Sequence, residues 1–78
     1  MVAVANVVGM REVHYTNQNG KAVDGRTLYV SYSVENTVGE ATSSVWLSDS
    51  MHRDKVITVG DQVRIYIGKG ATDLIELI

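Results

Sequence analysis

The chain has 78 residues, seven Lys or Arg against nine Asp or Glu, a formal charge of −2 and no cysteine. It is long enough for one domain with a thin core, and neither a disulfide framework nor a thiolate zinc site is available to support that core. The acidic balance argues against a high-affinity polyanion binder, although a local basic patch remains compatible with it. The apolar opening lacks the basic region and length of a signal peptide, and no stretch approaches the roughly 20 apolar residues of a membrane span. The expectation is a cytoplasmic protein with no membrane association, of modest stability or supported by self-association.

Along the chain, Val, Ile, Thr and Tyr recur in the patterns of β-strands. A first strand is expected over residues 7–17. Gly9 marks a bulge there, because the apolar parity shifts from Val8 and Met10 to Val13 and Tyr15. Residues 17–26 read as a long polar hairpin loop containing Asn19-Gly20 and Asp24-Gly25. The second strand, 26–36, alternates Leu28, Val30, Tyr32 and Val34 on its inner face with Thr27, Tyr29, Ser31 and Ser33 on the outer. After a turn at Val38-Gly39-Glu40, a third strand over 41–48 places Val45 and Leu47 inward.

The stretch from Ser48 to Thr58 has room for a single helical turn through Met51, His52 and Arg53, capped by Ser48 or Asp49. A fourth strand over 61–68 buries Val63, Ile65 and Ile67, and Gly68-Lys69-Gly70 leads by a hairpin into a fifth over 72–78. Five antiparallel strands with the longest irregular segment between the third and fourth match an OB-like small barrel occupying residues 1–78 as a single domain. An SH3-like barrel ranks second, because it places its helical turn before the last strand.

The chemistry expected of these residues is binding, with no enzymatic role, cofactor or metal. His14 and His52 lie in different elements without ligand spacing, and Gly68-Lys69-Gly70 lacks the rest of a phosphate-loop pattern. The outer faces are more informative. Parity places Tyr29, Trp46, Arg64 and Tyr66 outward on three strands, with Lys21, Arg26 and Lys69 on the two hairpins. Exposed rings on an OB-like sheet stack bases while cations track the phosphates. On the residues alone, a second small core, a dimer interface or packing beneath a loop ranks ahead of base stacking for such rings.

A Val-Val-Gly start, His14-Tyr15-Thr16, an Asn-Gly-Lys loop and Gly25-Arg26-Thr27-Leu28-Tyr29-Val30 are followed by Val38-Gly39 and Val45-Trp46-Leu47-Ser48. Val59-Gly60-Asp61-Gln62-Val63-Arg64-Ile65-Tyr66 completes the layout. It resembles a group of small proteins carried by phages and conjugative elements of Gram-positive bacteria. That group is similar in layout to the OB-type single-strand-DNA-binding proteins of filamentous phages, which bind as dimers. The resemblance implies single-stranded DNA binding with little sequence preference by a homodimer, with Tyr29, Trp46, Arg64 and Tyr66 as stacking or backbone contacts. The alternative is a protein–protein interaction module or accessory factor of a mobile genetic element using the same aromatic face. The chain departs from the resemblance in its acidic balance.

Overall fold

In the computed structural model, which describes residues 1–34 and 38–78, strand β1 spans Val2–Thr16 and β2 spans Ala22–Ser33. Strand β3 (Glu40–Ser48), helix α1 (Asp49–His52), β4 (Gln62–Gly68) and β5 (Ala71–Leu77) follow. All ladders are antiparallel and the sheet order is β3-β2-β1-β4-β5. Among the described residues the end strands β3 and β5 exchange no backbone ladder, but they meet where Ser43 Oγ and Thr72 Oγ1 lie 2.7 Å apart. Five strands and one helical turn accord with the expected all-β class. The last two residues expected in the second strand, 35 and 36, lie outside the described residues.

The alternation in β2, β3 and β4 is realised directly. Leu28 and Val30, Val45 and Leu47, and Val63 and Ile65 are buried from three strands. Ala5 and Val7 join them from β1, and Ile57 from the segment after α1. Tyr32, Ile67, Leu74 and Ala3 are partly buried around this core. Ser48 stands at the N-cap of α1 in extended backbone but makes no side-chain capping bond.

Strand β1 corrects two expectations. It begins at Val2, not near Val7, and its buried set before the bulge is Ala5 and Val7, whereas Val8 and Met10 are exposed. The bulge itself falls where expected, between Val7 and Gly9. Residues 2–6 of β1 pair with β4 on one edge, and residues 6–16 pair with β2 on the other. The expected loop over 17–26 is shorter than it reads. Asn17 closes a tight turn through Gly20, and its Oδ1 accepts bonds from Asn19 and Lys21 N–H groups at 2.9 and 3.0 Å. Ala22 to Gly25 belong to β2.

Because β3 joins β2 only from Gly25 onward, residues 14–16 and 22–24 form a two-stranded arm beyond the rest of the sheet. The molecule measures 46 × 25 × 18 Å with a radius of gyration of 13.4 Å. A rounded chain of this length would be near 11.5 Å. The projecting arm accounts for the elongation.

The bulge is testable by neighbouring truncations. Val7→Ala should cost about 2 kcal/mol of stability in chemical denaturation, from lost burial and a residual cavity. Val8→Ala, at an exposed position, should stay within roughly 0.5 kcal/mol. The opposite order would mean that β1 is threaded one residue out of register.

Candidate functional site

Side chains on one surface of a sheet are set by parity and by which residues stand opposite one another. Three rows cross β1, β2 and β3 on the outer face: Gly9–Tyr29–Ser44, Arg11–Thr27–Trp46 and Val13–Gly25–Ser48. The pair Tyr15–Val23 continues that face onto the arm. Tyr29 and Trp46 are thus diagonal neighbours, 41% and 42% exposed, and Tyr15 lies further along the same side at 55%. Lys21 stands at the tip of this arm.

Each of three outward rings rests on a glycine. A Cβ built on Gly25 would lie 2.6 Å from Trp46 Cη2 and 2.7 Å from Cζ2, so the indole crosses the bare backbone of β2. A Cβ on Gly9 would come 3.3 Å from Tyr29 Cδ2, and one on Gly68 would come 3.1 Å from Tyr66 Cε1.

The seven residues expected to share a site do not all meet. Tyr29 and Trp46 are together. Tyr66 stands opposite Val2, whereas Tyr29 stands opposite Gly9, an offset of about 23 Å at 3.3 Å per residue along β1. Arg64 lies beside Tyr66 on that far end, and its guanidinium is bonded to Glu76. Lys69 is at the tip of the β4–β5 hairpin, also at the far end. Arg26 falls on the reverse side of β2, where its guanidinium donates to the backbone carbonyl of His52 at 3.1 Å.

Two polar side chains near the aromatic pair were not singled out from sequence. Arg11 sits in the Trp46 row, and among the described residues it makes no ion pair. Tyr15 extends the aromatic line. The parity shift at Gly9 was the available signal for both, had it been carried forward from the correct inward residue.

The carboxylates of the arm occupy its reverse side. Asp24 Oδ1 bonds His14 Nδ1 at 2.8 Å, and Glu12 Oε2 is 3.8 Å from His14 Nε2. On the aromatic face Glu40 is held by the Ser31 hydroxyl. In the rows that hold Tyr29 and Trp46 the one charged side chain is Arg11, while Glu40 lies further along the same face. No protein-family model, curated protein or solved structure matches this chain.

The Asp24 hydrogen bond raises the His14 pKa above its ordinary 6.5, against a smaller opposing effect of desolvation, with the Glu12 charge adding to the rise. The folded value exceeds the unfolded one, so the pair's contribution to stability is complete below pH 6.5 and fades as pH rises through the folded pKa. Titration of the His14 ring signals by NMR should give an apparent pKa above 6.5. Asp24→Asn should bring it down, and an unchanged value would exclude the pairing.

Proposed function

We propose that this chain is an OB-like module that binds single-stranded DNA with little sequence preference, acting in the cytoplasm as a homodimer. The observation that carries the reading is the pairing of Tyr29 and Trp46 beside Arg11, which makes no ion pair among the described residues, on a face from which the arm's carboxylates are turned away. A ring lying on bare backbone keeps one side free, and bases stack on such a ring regardless of identity. Arg11 and, on the arm, Lys21 supply charge for the phosphates, with Tyr15 as a third ring between them.

The strand order supports the OB-like assignment: its end strands, β3 and β5, come together at Ser43 and Thr72. The dimer is assigned to the far end of the outer face, where Val2, Val4, Tyr66 and Ile75 are exposed together with the Arg64–Glu76 pair. Exposed apolar groups in such a group are a common mark of an association surface.

Binding to a short oligothymidine separates the two ends of the face. Trp46→Ala and Tyr29→Ala should each weaken it by about 1–3 kcal/mol while the protein stays folded. Tyr66→Ala removes no stacking contact, so any loss of affinity there should be accompanied by dissociation of the dimer in light scattering. Arg11→Ala should reduce the slope of log affinity against log salt by about 0.7, the value for one phosphate contact on a single strand. Retained affinity in a folded Trp46→Ala variant would remove the stacking role and leave the face to a protein partner.

A further inference from the structure

Gly25 is buried in the middle of β2, flanked by Asp24 and Arg26, and is not among the glycines with positive φ. Its backbone is one that any residue adopts, so a turn does not explain a glycine there. Space does. A Cβ would lie 2.5 Å from the Leu47 carbonyl oxygen as well as against the Trp46 ring. Gly9, likewise without positive φ, lies beneath Tyr29, and the atoms nearest to its would-be Cβ all belong to that one side chain.

We infer that Gly25 and Gly9 are positioning residues, seats that hold Trp46 and Tyr29 flat with one face outward so that the pair is preorganised for stacking. The inference rests on the stacking role proposed above. Glycine within a strand weakens it and offers no side chain to pack. Two such residues on adjacent strands place a glycine beneath each of two neighbouring aromatics. A ring without a seat would sample more rotamers, and ordering it on binding would lower affinity.

A seat has a second consequence, since a ring covering a glycine also shields the ladder beneath it. Stability alone therefore does not distinguish positioning from simple repair of the sheet. The Gly68–Tyr66 pair provides the comparison, a ring over a glycine two residues along its own strand at the other end of the face.

The experiment measures oligothymidine affinity, thermal unfolding and near-ultraviolet circular dichroism for Gly9→Ala, Gly25→Ala and Gly68→Ala. Gly9→Ala displaces only a tyrosine ring and should remain folded, with affinity lower by about twofold to tenfold, the equivalent of ordering one side chain. Gly25→Ala should alter the tryptophan circular-dichroism bands and lose at least as much affinity. Gly68→Ala should bind as the parent does. Because Gly25→Ala meets a backbone oxygen and is the variant most exposed to misfolding, Gly9→Ala decides the matter if Gly25→Ala does not fold.

Parental affinity in a folded Gly9→Ala, or an equal loss in Gly68→Ala, overturns the inference while leaving the stacking role intact. Parental affinity in a folded Trp46→Ala overturns both.

Discussion

Strand β1 has to serve two neighbours on opposite edges, and one additional residue makes this possible. Its first half holds β4 and its second half holds β2, with Asn6 paired to both. Continuing the parity of Ala5 and Val7 without interruption would carry Gly9 and Arg11 inward, which would bury a guanidinium in an apolar core at prohibitive cost. The bulge between Val7 and Gly9 reverses the parity and bends the strand. On the opposite edge, Val7 donates to the Asp61 carbonyl and accepts from Gly60 N–H, so the interruption leaves neither of its backbone groups without a partner. Arg11, Val13 and Tyr15 reach the outer face because of this one residue.

That reversal also sorts the charges. With Arg11, Val13 and Tyr15 outward, the intervening Glu12 and His14 fall on the reverse side, opposite Arg26 and Asp24. The net charge of −2 averages over two surfaces of different character. Over a Debye length of about 8 Å at physiological salt, a phosphate senses the charges near it more than the total. An acidic chain is therefore compatible with an arginine, Arg11, standing in the row of Trp46.

Strands β2 and β4 were legible in the sequence because each has one apolar and one polar side, so Leu28, Val30, Val63 and Ile65 stand out. The start of β1 was not. Val2, Val4 and Val8 are exposed while Ala5 and Val7 are buried, and a run that is apolar on both sides carries no parity signal. Asp24-Gly25 has the composition of a turn, but the reason for Gly25 is Trp46 on the next strand, a contact no local window contains. Ile57 enters the core from an unpatterned segment and had no signal. For the candidate site, parity correctly put Tyr29, Trp46 and Tyr66 outside. It reports only the side of the sheet, however, and the distance between Tyr66 and the other two depends on the β1–β4 register.

The same geometry makes the arm dependent on what lies at its base. An isolated two-stranded ribbon is marginal in water, and residues 14–16 and 22–24 have no third strand beside them. At the root on one side, Trp46 lies across Gly25 and joins the arm to β3. On the other, the Arg26 guanidinium ties β2 to the carbonyl of His52 at the end of the helical turn, and His14 is bonded across the ribbon to Asp24. The aromatic contact thus fastens the arm and presents a surface at once. A ligand covering Trp46 and Tyr15 would bridge the sheet and the arm, replacing the missing third strand with its own contacts. Local opening free energy is lowest where buried apolar contacts are few, which places the arm among the first segments to open. Binding along this line would stabilise the arm most. Recognition on this face would thus act on the least supported part of the fold through the one indole that already anchors it.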